Sequence, residues 1–154
     1  MVKKAETKVI EMENKIEKMT QFLADNKIEC FDIQKLEDEH RTTIFRSRME
    51  VKGQLLPMAL LMDDSVYVML QVQIAPQVID EAKLKELAGA INNMNNNVRP
   101  FKFTVSEKGD LMLNACITAE NNTFNPALTN AIMAESVKFL EAQYGNIMEA
   151  VWAK

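Results

Sequence analysis

The hydrophobic period of this chain changes several times, and the order of those changes limits the fold more than any single motif. Val9, Met12, Ile16, Met19 and Leu23 recur at intervals of three and four. That spacing puts them on one stripe of an amphipathic helix over roughly 4–26. Lys, Glu and Asn fill the gaps, and Glu11–Lys15 is a favourable i,i+4 pair. The stripe is narrow, so the helix is expected to dock by one face on a surface.

From Cys30 the period falls to two. Phe31 and Ile33 begin a short strand, and Glu37-Asp38-Glu39-His40 reads as a polar connection. Thr43, Phe45, Ser47, Met49 and Val51 then alternate with Ile44, Arg46, Arg48 and Glu50, as a half-buried strand requires. Lys52-Gly53 makes the next turn. Gln54–Met62 is apolar on both faces, with Leu55, Ala59 and Leu61 on one and Leu56, Met58, Leu60 and Met62 on the other. Pro57 removes a ladder donor, so a bulge or an edge position is expected there. After the turn at Asp63-Asp64-Ser65, Val66, Val68, Leu70, Val72 and Ile74 form one apolar face. The segment reads as an antiparallel meander of three or four strands.

Pro76 ends the sheet, and Asp80 is a helix N-cap. Leu84, Leu87, Ala88, Ile91 and Met94 mark a second helix that stops in Asn95-Asn96-Asn97. Phe101, Phe103 and Val105 face the same way as Leu111, Leu113, Ala115 and Ile117 across Glu107-Lys108-Gly109-Asp110, which predicts a hairpin with Gly109 at positive φ. Asn125-Pro126 opens a last helix as N-cap and first-turn proline. Its stripe is Leu128, Ile132, Val137, Leu140, Tyr144, Ile147 and Val151, with Gly145 a site for a kink. The prediction is a single α+β domain over 1–154. It has an antiparallel sheet of about five to six strands and three helices, in the order α-β-β-β-(β)-α-β-β-α.

Composition removes several function classes. A 154-residue chain with 47% hydrophobic and 26% charged residues can bury a full core and is not disordered in character. A net charge of −4 makes it a poor partner for nucleic acid, which draws on clustered Lys and Arg. No stretch supplies 18 uncharged apolar residues, so no membrane-spanning helix is expected, and the charged amino terminus does not read as a signal peptide. A cytoplasmic location is the expectation.

No motif carries chemistry. His40 beside Glu37, Asp38 and Glu39 contains metal-ligand types, but consecutive residues on an extended segment point to opposite faces and converge poorly on one ion. Asp63-Asp64 are where a hairpin needs a polar turn. Cys30 and Cys116 would have to share one histidine as base, and Cys116 reads better as a small structural residue in mid-strand. Phe101 and Phe103 share a face with Val105, which marks them as core rather than as a platform for RNA bases. No cofactor, metal or catalytic residue is expected. Eleven methionines remain to be placed. The sheet face without helices is expected to show Met58, Met62, Tyr67, Met69 and Met112, either as a homodimer or partner interface or as a second core layer under the first helix.

The stretch INNMNNNVRPFKFTVSEKGDLMLNACITAENNTFNPALTNAIMAESVKFLEAQYGNIMEAVW, Ile91–Trp152, resembles the carboxyl half of YbjN-like proteins. The likeness lies in an Asn-bearing helix end, an aromatic strand, an acidic turn with Gly, a second strand and a long helix. Asn92, Phe101, Phe103, Gly109, Leu111 and Leu113 stand at the matching places. The resemblance implies a type III secretion chaperone-like fold, usually paired as a homodimer, that acts by binding protein. No catalytic residues carry over. The implied function is a non-enzymatic regulator or adaptor, with a secretion-type chaperone for an effector, or a small-ligand or metal-binding domain, as alternatives.

Overall fold

A computed structural model describes residues 14–153. The elements run α1 Lys15–Asp25, β1 Asp32–Lys35, β2 Thr43–Val51, β3 Gln54–Met62, β4 Tyr67–Ala75, α2 Glu81–Asn96, β5 Lys102–Val105, β6 Leu111–Thr118 and α3 Pro126–Trp152. All six strands are antiparallel in one sheet, in the order β1-β2-β3-β4-β6-β5. The expected α+β class and element order are therefore observed, with four strands in the meander. The part of the first predicted helix that falls on 4–13 lies outside the described residues.

Local chemistry accounts for the element ends. Val51 and Gln54 pair across Lys52 (φ 50°) and Gly53 (φ 78°), the double positive φ of a two-residue hairpin turn whose twist suits the strands. Asn14, Asp80 and Asn125 each accept from a main-chain N–H of the first helical turn, at 3.0, 2.8 and 3.2 Å. Pro57 is accommodated without a bulge against β2. It stands just beyond Met58↔Val72, the last pair of the β3–β4 ladder, so its missing N–H leaves no ladder bond unmade on that side. Among the described residues, the sheet is irregular between Gln73 and Ala75.

The core lies between one face of the sheet and the helices. Phe45, Met49, Val51, Leu56, Met58, Leu60, Met62, Val68, Leu70, Val72, Leu111 and Leu113 all point that way and are buried. Met19 and Leu23 of α1, Leu87 of α2 and Met133, Leu140, Ile147 and Val151 of α3 close over them. Each such large side chain contributes about 1.5–3 kcal/mol on removal from water. Phe139 of α3 stacks at a tilt on Phe101 (5.3 Å) and Phe103 (5.9 Å), which confirms these two as core.

Three sequence expectations need correction. The buried stripe of α3 begins with Thr129, Met133 and Ser136, whereas Leu128 is 55% exposed. Hydrophobicity favours Leu128, but the helix turns the neighbouring stripe of Thr129, Met133 and Ser136 inward. The Ser136 hydroxyl pays nothing for burial because it donates to Met133 O at 2.6 Å. Cys116 is not a buried packing residue. It shares a strand face with Asn114 and is exposed. The helix also runs without a break through Gly145.

Candidate interaction surface

The side-chain alternation that buries one face of the sheet commits every other residue to the opposite face. No described element covers that face. The strand register makes its pattern explicit. One row crosses the sheet as Gln34, Ile44, Leu61, Met69 and Cys116. The next row reads Asp32, Arg46, Ala59, Gln71, Asn114 and Lys102. The first is apolar at its centre and the second polar, so the face combines a hydrophobic band with hydrogen-bonding groups beside it. Leu55 is 61% and Tyr67 48% exposed at opposite ends of this face.

The five residues expected at an interface are divided by this geometry. Tyr67, Met69 and Met112 are on the open face. Met58 and Met62 point into the core, at 6% and 0% exposure. The reason is the pairing of Met58 with Ser47 and Met62 with Thr43, which places them on the side of Phe45. Because Gln54–Met62 is apolar on both sides, its own sequence could not choose a face. Leu55, Leu61 and Ile44 take the places of the two methionines on the open side. The alternation of β2, with Arg46 and Arg48 beside Ile44, was the signal that could have found them.

A polar cluster joins α1 to the sheet. Lys15 is 1% exposed, and its ammonium donates to Ser65 O, to Tyr67 O at 2.9 Å and to Ala119 O at 3.3 Å. Three protons thus meet three carbonyls. Burial lowers the Lys15 pKa, and the nearby charges of Asp63 and Asp64 work against that fall. Asp63 accepts from the Ser65 hydroxyl and main-chain N–H, which hold its carboxyl below the ordinary carboxylate range against a smaller effect of burial. Asp64 pairs with Arg41 at 2.9 Å. With every Lys15 donor engaged, this cluster acts as a tether for the helix rather than as a nucleophile.

The other candidates do not assemble. Asp38 spends both carboxylate oxygens on Thr42, and the Thr42 hydroxyl and then its N–H hold the Asp38 pKa down. His40 offers its main-chain oxygen to Asp64 N at 3.0 Å. Among the described residues no group of three His, Cys, Asp or Glu side chains converges as metal ligands. No described helix is long and apolar enough to cross a membrane. No protein-family model matches the chain, and no curated protein matches it either.

Proposed function

We propose that this protein is a non-enzymatic regulator or adaptor of the YbjN-like kind that binds another protein through its open sheet face. One observation carries this reading. Half-buried Leu61 and Met69, with Ile44 beside them at 8% exposure, form an apolar band across three adjacent strands on the face of the sheet opposite the helices. Sheet faces of this kind in single domains mark contact surfaces, since an uncovered band favours association over solvation. Arg46, Gln71 and Asn114 flank the band and supply the polar rim that gives a protein interface its orientation. A shallow, strand-built surface suits a protein better than a small ligand, which needs a concave pocket.

The test is site-specific photo-crosslinking in the native cell. A photoreactive residue at Leu61 or Met69 is expected to capture one discrete partner. The same residue at Lys138, on the exposed side of α3, is expected to capture none. Leu61→Arg should abolish capture from position 69 while leaving the circular dichroism unchanged. Equal capture from Lys138, or none from the sheet, would overturn the reading.

A further inference from the structure

A concave region lies away from the open band, where β1 and β2 part. Their ladder runs from Lys35↔Thr43 to Asp32↔Arg46 and stops, while β2 continues to Val51. The chain before Asp32 bends off the strand edge, and Cys30 and Phe31 share a groove with Met133 and Val137 of α3. Among the described residues, no main-chain hydrogen bond ties 28–31 to Ser47–Val51. Two cavities open at this parting. One, of about 240 Å³, is walled by Ile28, Phe31, Met49, Met58, Met133 and Val137. The other, of about 560 Å³, sets Arg46 and Arg48 beside a single acid, Asp32. Cys30, Ser47, Arg48 and Met58 wall both, so the two meet in a slot between the diverging segments.

The two halves differ in chemistry, and the difference specifies an occupant. Met49, Met58 and Met133 give the inner groove a flexible thioether wall that shapes itself to an unbranched tail. At roughly 30 Å³ for each water-sized group, the groove takes a chain of about eight carbons. Arg46 and Arg48 stand two residues apart on one strand and so share a face. Among the described residues, neither has a carboxylate within salt-bridge distance. Arg46 makes a long bond of 3.4 Å to Gln34 Oε1, which leaves most of its donors open. Two guanidiniums at the mouth of an apolar groove suit a carboxylate, which each can hold through paired N–H donors. A cationic head would meet like charge there, and a neutral alcohol would leave the fork of donors unused.

We propose that this slot binds a medium-chain aliphatic carboxylate, with the tail in the groove between β2 and α3 and the carboxylate on Arg48 and Arg46. A concave, mostly apolar site with a few convergent polar groups is the general form of a small-ligand site. The slot takes in none of Ile44, Leu61 and Met69. The inference therefore goes beyond the partner-binding reading, and each can fail without the other.

Octanoate, kept below its micellar concentration, is the probe, titrated into the full chain by calorimetry. One saturable site per chain is expected. Octanol, which lacks the charge, and acetate, which lacks the tail, should each bind at least about tenfold more weakly. Arg48→Gln should weaken octanoate binding by a similar factor. Ala134→Trp, which fills the groove from its exposed rim, should abolish it. Both positions are exposed, so the circular dichroism should not change. The cysteines report on place. Both are exposed, but of the two Cys30 walls the slot, while Cys116 lies on the open face. Octanoate should slow the alkylation of Cys30 by iodoacetamide and leave that of Cys116 unchanged. Absence of saturable binding would overturn the proposal. Equal affinity for octanol, or indifference to Arg48→Gln, would do the same. Protection of Cys116 in place of Cys30 would put the acid on the open face and equally sink it.

Discussion

The side-chain amide of Asn95 gives Phe103 the two hydrogen bonds that a neighbouring strand would give it. Phe103 N donates to Asn95 Oδ1 at 2.7 Å, and Asn95 Nδ2 donates to Phe103 O at 3.1 Å. Phe103 lies on β5, the strand at the edge of the sheet away from β1. A helix residue thus seals an exposed strand edge, and Lys102 ties its Nζ to Asn95 O and Val98 O nearby. Open edges invite pairing with other chains, and this one is blocked from within.

Replacing Asn95 tests the seal. Asn95→Ala is expected to cost about 1–2 kcal/mol, which is the loss of two partly buried main-chain hydrogen bonds. In a chain of this size that lowers the melting temperature by roughly 2–8 °C. Asn95→Asp keeps the acceptor but sets a carboxylate against the Phe103 carbonyl, and should cost at least as much. Hydrogen exchange at the Phe103 amide should accelerate in both variants. Unchanged exchange would show that the amide does not hold the edge.

Lys15 is expected to matter through its donors rather than its stem. Lys15→Met keeps the apolar length but leaves the carbonyls of Ser65, Tyr67 and Ala119 without their partner. The expected loss is about 2–4 kcal/mol, read from the urea midpoint. Lys18→Met is the control. Its Nζ reaches Asn121 O from an exposed position, so its loss should be a fraction of that.

The division of the methionines predicts opposite outcomes for one chemical change. Met62→Glu places an unpaired carboxylate in a fully buried site and should unfold the domain, at about 4 kcal/mol or more. Met69→Glu lies on the open face and should cost under about 1 kcal/mol. Circular dichroism and melting curves of the pair report directly on which side of the sheet each strand position faces.

Gly109 and Gly53 both hold positive φ, at 85° and 78°, but only one has a close neighbour. A Cβ on Gly109 would meet Ile79 O at a separation no real Cβ tolerates, whereas Gly53 has open space. Gly109 O also accepts from Val78 N and Ile79 N at 3.1 and 3.0 Å, which fixes the approach. Gly53→Ala should cost about 1–2 kcal/mol from backbone strain alone. Gly109→Ala should cost clearly more, with the excess measuring the main-chain clash. Equal losses would mean that the turn retreats from Ile79.

Asp63 predicts an acid limb in the stability profile. Its carboxyl titrates lower in the folded chain than in the unfolded one, chiefly through the Ser65 hydroxyl. The stabilisation is therefore complete above the ordinary carboxylate pKa of about 3.9 and is lost as pH falls through the depressed folded value. Wild type and Asp63→Asn should differ in urea midpoint at pH 7 and converge as pH approaches 2. A constant gap would remove Asp63 as a source of acid sensitivity.

The sequence by itself determined the elements and most of their facing. β2 and β4 alternate between apolar and polar residues, so their buried sides follow from pleating alone. The hairpin from Phe101 to Ile117 was legible because the period of two, the turn residues and Gly109 agree. Asp80 and Asn125 were readable as caps because a helix start is a local hydrogen-bonding problem. What lacked a local answer was left to the tertiary structure. β3 is apolar on both sides, and only its register against Phe45 and Thr43 sent Met58 and Met62 inward and Leu61 outward. Lys15 reads as a solvated member of a helical charge pair, and only the carbonyls of a turn and a loop far along the chain draw it into burial. The amide of Asn95 reads as a helix breaker, yet it closes a sheet edge because β5 comes to lie beside it. The order of the strands, with β6 inserted between β4 and β5, follows from packing across the whole sheet. Alternation is encoded residue by residue, but a choice between two equally apolar faces depends on which neighbours arrive, and that information is not local.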